Sequence, residues 1–234
     1  MKRLPLLTLI FSIAFAVFFI APTFLSKQFG LYPMMKIGDV FDIFTPLVLI
    51  PLYWFMFRTS DHNAKGVVET IAFFVLAALW VEGQGMHLAA NSIGHFLKGF
   101  TGTDAYSLAN FYDEVLSHYM WHVGVMGLSV LLVLRQWRTP LTEGLTAVWL
   151  PGLAGVIYGF TFFIIIIEGA TTPLGVPFAA LFTLFGLIWG RTKLKQQPLL
   201  LFSVAAYLTA VLFFAGWAIY WRGLPEFSQV GIID

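Results

Sequence analysis

Two pairs of histidines lie in long apolar stretches of this chain, His87 and His95 in WVEGQGMHLAANSIGHF, and His118 and His122 in YDEVLSHYMWHVGVMG. The fifth histidine, His62, is in a polar loop. Ionisable side chains in hydrocarbon are costly, and where they occur they commonly mark function. Helical spacing groups them. Glu114, His118 and His122 follow each other at i, i+4 and share one face, as do His87, Asn91 and His95. Two polar stripes on adjacent antiparallel helices are expected to face each other, since either would be unfavourable against lipid. At about 1.5 Å per residue, His87 and His122 fall at similar depth, His118 one turn shallower and His95 near the mouth.

The chemistry of such a set is metal binding. His87, His118, His122 and His95 are the candidate ligands. Imidazole suits zinc, iron and copper. Three histidines with an open fourth position make a catalytic zinc pattern, whereas histidines with several carboxylates suit non-haem iron, including a dinuclear centre. One or two transition-metal ions are therefore expected. Glu114, Asp113 and Glu82 are the candidate proton-transferring acids, and Asn91 and Glu168 the candidate supporting partners. Blander readings stand beside these. The histidines could simply hydrogen-bond between helices. Asp113 could cap its helix, as could Asp39 and Asp42. Glu168 could be a helix-end acid in water.

The elements that must position these residues are membrane helices. The chain of 234 residues is 59% hydrophobic and 11% charged, too few charges to cover a soluble surface of this size. The net charge of +1 gives no reason to expect nucleic acid. With no cysteine, disulfides, thiolate metal sites, Fe–S clusters and cysteine nucleophiles are excluded. Spanning helices need about 20 mostly apolar residues, and seven candidates fall at about 5–25, 38–57, 67–97, 111–134, 145–168, 175–190 and 198–221. The expected fold is an all-α polytopic bundle of about seven transmembrane helices in one domain, with an ordered loop over roughly 98–110. Gly155 and Gly159 predict close helix packing.

Loop charges give the orientation. Lys2, Arg3, Arg58, Lys65, Arg135, Arg138, Arg191, Lys193 and Lys195 gather on one side. The N-terminus is then cytoplasmic, the C-terminus non-cytoplasmic, and the site opens outward. Trp54, Trp137, Trp189, Trp217 and Trp221 fall near helix ends, as in an interfacial belt, and Trp80 does not.

Seven helices with an HxxxH pair, a further membrane histidine, an aspartate and a serine resemble the CREST superfamily of membrane hydrolases. The resemblance implies a zinc site in which His118 and His122 are the HxxxH pair, His87 or His95 the third ligand, and Ser92 and Asp113 accessory polar residues. It also implies a hydrolase acting on lipid. The pair sits here on the fourth helix, whereas in that family it lies on the last. The residues themselves point to a metal-dependent hydrolase or oxidoreductase acting on a membrane lipid or apolar small molecule. The alternatives are haem held between His87 and His122, a proton or metal conduit, or an accessory subunit of a membrane complex.

Overall fold

The computed structural model describes residues 3–32, 34–59, 66–141, 145 and 147–233. Lys2, His62 and Lys65 lie outside the described residues. No strand forms among the described residues, and the helices are α1 (Arg3–Ile20), α2 (Ile37–Thr59), α3 (Val67–Phe96), a short α4 (Asp104–Asn110), α5 (Ser117–Arg138), α6 (Trp149–Glu168), α7 (Thr172–Phe185) and α8 (Pro198–Trp221). Among the described residues seven spans are long and apolar enough to cross a membrane. The fold is the expected all-α seven-helix bundle.

The fourth span departs from expectation. It begins at Asp104 and runs without interruption to Arg138, so most of the predicted 98–110 loop is helical. Thr103 caps α4 by accepting the Tyr106 N–H at 3.3 Å. Between α4 and α5 the helix widens over Phe111–Leu116, where the Ser117 N–H reaches the Tyr112 carbonyl, five residues back. Such one-turn π-bulges insert a residue into the helical register and often sit at functional sites.

Two close approaches set the bundle. On α3, a Cβ at Gly83 would lie 2.6 Å from Trp121 N and 2.7 Å from Ser117 O. On α5, a Cβ at Gly124 would lie 2.7 Å from Leu76 O and 2.9 Å from Trp80 N. The two histidine-bearing helices therefore meet backbone to backbone, which only glycine permits. Gly155 and Gly159 do the same for α6 against α8, where a side chain would collide with the Phe202 and Ala206 backbones.

Around these contacts is an aromatic core. Trp80, off the interfacial belt in the sequence, is wholly buried and donates its indole N–H to Gln84 Oε1 at 2.8 Å. Tyr53 from α2 lies 3.2 Å from both Ser129 Oγ of α5 and Tyr158 Oη of α6, so its hydroxyl is satisfied without water. At the basic end Glu69 is ion-paired with Arg135 at 2.8 Å and with Arg138. The Arg135 guanidinium also lies 4.1 Å from the Phe57 ring centroid.

Gly83→Ala and Gly124→Ala should each destabilise the bundle by about 1–3 kcal/mol through overpacking. Gly152→Ala on α6, where a Cβ meets nothing within 4 Å, should be neutral or slightly stabilising. Thermal unfolding in detergent checks the contrast, and equal effects at all three positions would refute the packing argument.

Candidate functional site

The α3–α5 contact carries the two histidine stripes into register at one end of the bundle. The imidazoles of His87 and His118 face each other with centroids 4.8 Å apart, and His118 and His122 are 6.2 Å apart. The expected facing of the stripes holds, but His87 is level with His118, one turn above the expected His122.

Each ring is held differently. His87 Nδ1 is 2.8 Å from Asp113 Oδ1. The two atoms are at ion-pair distance, yet neither has a hydrogen-bond partner and both are enclosed, so the contact lies off the line of a ring N–H bond. Nearby, Asp42 on α2 pairs with the amide of Gln84, whose oxygen Trp80 fixes. His87 thus sits between two carboxylates. The His118 ring is held by main-chain carbonyls, with Nδ1 3.2 Å from Glu114 O and the Gly169 carbonyl also bonded to the ring. His122 is fully buried. Its Nδ1 is 2.8 Å from the Thr171 hydroxyl, while Nε2 has no partner. A buried, unpaired nitrogen costs about 1–3 kcal/mol.

The turn between α6 and α7 closes over these rings. A Cβ at Gly169 would lie 2.8 Å from His122 Cε1 and 3.5 Å from His118 Cγ. The next residue, Ala170, has φ 49°, a left-handed conformation that costs a non-glycine residue about 1–2 kcal/mol. That strained residue places Gly169 and Thr171 together on the histidines.

The π-bulge decides which acid faces inward. Asp113 is buried and reaches His87, while Glu114, one residue on, lines the neighbouring cavity. Capping is therefore not the role of Asp113. The Ser117 hydroxyl donates to the Asp113 carbonyl and adds to the bulge. Asp39 is the residue that caps, accepting the Lys36 N–H at 2.7 Å. Asp42, also expected to cap, belongs to the site. Asn91 and His95 line the approach two turns of α3 toward the mouth, so His95 stands apart from the other three histidines. The Ser92 hydroxyl turns back to the Leu88 carbonyl at 3.0 Å. Glu82 is not part of the site. It is exposed on α3 and lines no cavity beside the histidines.

A cavity of about 1110 Å³ runs from the cluster into the bundle edge. Asp42, Gln84, His87, Glu114 and His118 form its polar end, and Phe160, Phe163, Leu212, Phe213 and Trp217 of α6 and α8 form an apolar trough. No Lys or Arg is among its lining residues. A smaller cleft of about 190 Å³, with Asn91, His95, Asn110, Asp113 and Glu114 on its walls, reaches the same acids from another side. The C-terminal tail covers part of the trough. Glu168 accepts the Phe227 N–H at 3.2 Å, and the Trp217 indole N–H donates to Pro225 O at 2.9 Å. Glu226 also faces this cavity, and partial burial pushes its carboxyl above the ordinary range.

As the side chains stand, no three His, Asp or Glu groups among the described residues converge on a metal-holding position. Donors are nonetheless at hand. A nitrogen and a carboxylate oxygen about 3 Å apart, neither hydrogen-bonded, have the spacing of two neighbouring ligands of one small cation, and His122 Nε2 is a third donor without a partner. No protein family, curated protein or solved structure matches the chain, so the likeness to the CREST superfamily rests on the helix count, the histidines, Asp113 and Ser92.

Loss of the Glu168 contact should free the tail. Glu168→Ala is expected to speed amide exchange of the 224–233 segment by about tenfold, the loss of a hydrogen bond to a charged group, and Glu168→Gln by less. Hydrogen-exchange mass spectrometry reads this directly. Unchanged exchange in Glu168→Ala would show that Phe227 packing and the Trp217–Pro225 hydrogen bond hold the tail without it.

Proposed function

We propose that this protein is a membrane metalloenzyme that draws a lipid or other apolar molecule from the bilayer into the trough and acts on it at the histidine–carboxylate cluster. The observation that carries this reading is the continuity of an apolar trough with a buried polar end. Sites for small apolar ligands have this form, a largely apolar cavity with a few convergent polar groups.

Within this reading His87, Asp113, His118 and His122 would hold a zinc, iron or copper ion. A bound ion would supply Lewis-acid activation of water if zinc, or oxidation chemistry if iron or copper. The protein groups have distinct tasks. Thr171 fixes the ring of His122 through Nδ1, the outer hydrogen bond that orients a ligating imidazole. Asp42, held by Gln84, balances positive charge at His87. Glu114 faces both the trough and the smaller cleft, and so can carry protons between water and a bound substrate. The absence of Lys and Arg from the lining favours a neutral or cationic head group over an anionic one. The polar cleft would admit water while the trough admits substrate. The loop charges support a non-cytoplasmic position for this end of the bundle. Haem does not suit the cluster, because His122 is enclosed by Trp121, Gly169 and Thr171 with no free face for a macrocycle.

A second reading is favoured by one observation, that three donors do not converge as the side chains stand. In it the His87–Asp113 pair works as a metal-free proton-transfer dyad, in an enzyme or a proton conduit.

Metal content separates the two. Elemental analysis of the purified protein is expected to give about one or two ions per chain, in keeping with the donor set, and none in a His118→Ala/His122→Ala variant of unchanged thermal stability. Zinc directs substrate screening to lipid esters and amides, and iron or copper to lipid oxidation. A metal-free wild type overturns the metalloenzyme and leaves the dyad.

A further inference from the structure

Glu82 sits near the middle of α3 and is exposed. Glu69, in the ion pair at the basic end, lies thirteen residues earlier, about 20 Å along the helix. With hydrocarbon about 30 Å thick, Glu82 is within the apolar layer, where a carboxyl left against lipid is strongly disfavoured. The site does not use it. Residues 84, 87, 91 and 95 face the cavity or its approach, and Glu82 lies two positions before Gln84, about 160° away around the helix at about 100° per residue.

The surface around Glu82 is organised. Ile71, Val75, Ala78, Glu82, Gly85 and Ala89 are all exposed and follow each other at intervals of four and three. This is the heptad alternation of a left-handed helix pair. Ala78, Gly85 and Ala89 are small, and a Cβ at Gly85 would meet nothing within 4 Å, so another helix could approach closely. The row carries no charge besides Glu82.

We propose that two copies of this chain pair in parallel along this face of α3, with Glu82 of one copy against Glu82 of the other. Copies inserted with the same orientation hold residue 82 at the same depth, so a two-fold axis along the membrane normal brings the carboxyls together without adjustment. One carboxyl, protonated, donates to its partner, and both are removed from lipid with no cation required. A different protein would need a donor at that depth, and the row offers no second charge to select it. The heptad row, by contrast, is complementary to itself.

The chain has no cysteine, so single cysteines report the interface cleanly. Ala78→Cys and Ala89→Cys should form disulfide-linked dimers when membranes are oxidised. Leu47→Cys on α2 and Leu181→Cys on α7, exposed elsewhere, should do so about tenfold less, the difference expected for a polar contact of 1–2 kcal/mol. In the Ala78→Cys background, Glu82→Leu should lower the dimer yield about tenfold and Glu82→Gln should largely retain it, since the amide still hydrogen-bonds. Equal cross-linking at all four positions, or cross-links from the α3 row only to a protein of different mass, would overturn the pairing. The cysteine series decides this with Glu82 intact, whatever the stability of the Glu82→Leu variant. Undiminished dimer in Glu82→Leu would overturn the role of the carboxyl.

Discussion

The backbone contact between α3 and α5 governs the rest of this structure. Gly83 of α3 meets the Trp121 backbone of α5 and Gly124 of α5 meets the Trp80 backbone of α3, while the Phe19 ring of α1 stacks on both indoles. Together they leave little freedom in how one helix lies on the other. That contact fixes the depth of His87 relative to His118 and brings Asp113 within reach of the ring. The site is therefore not a flexible loop feature but a consequence of helix packing. The largest side chains of the core, Trp80 among them, are buried beside the residues that carry polar function, and Gln84 receives its orientation from Trp80.

Polar groups in this bundle are accommodated by two different means. Deep in the core the hydroxyls of Tyr53, Tyr158 and Ser129 satisfy each other across three helices, so the network is closed and structural. At the opposite end from the basic residues the arrangement is open. His122 Nε2 has no partner, His87 and Asp113 meet off the hydrogen-bond line, and Ala170 is strained to close a turn over the rings. A stable fold could have filled these positions with apolar residues at less cost. His87 and Asp113 lie beside the large cavity and its neighbouring cleft, so the open arrangement and the cavities meet at the same end of the bundle.

The spans were legible because hydropathy over 20 residues is a strong signal, and α8 starts and ends at the expected residues. The start of the fourth span was not, because the polar composition of 98–110 masked the Thr103 cap. Helical periodicity identified the two facing stripes. It also contained the correction for Glu82, which is five residues from His87 and so about 140° off its face. Gln84, three residues from His87, was equally available from that spacing. Asp42 and Thr171 were not, since they come from helices and turns distant in the chain and only the fold brings them to His87 and His122. The inward turn of Asp113 depended on a π-bulge, for which the sequence FYDEVL has no distinctive mark.

Opposite faces of one helix thus carry two constraints of the same origin. On the inner face of α3, polar residues at 84, 87 and 91 are acceptable because α5, α2 and the cavity replace lipid. On the outer face a single carboxyl interrupts an otherwise apolar row, and nothing among the described residues covers it. The inner set is solved within one copy. In the proposed pair the outer residue is met by the same helix of a second copy at the same depth, so the energetics that make the histidines informative bear on Glu82 as well. The two solutions are also mechanically joined. Gly83 lies between Glu82 and Gln84, so a helix docked on the outer face would press on the same turn that seats Trp121 and, through it, the ring of His122. Pairing along α3 would therefore stiffen the wall of the site without contributing a residue to it.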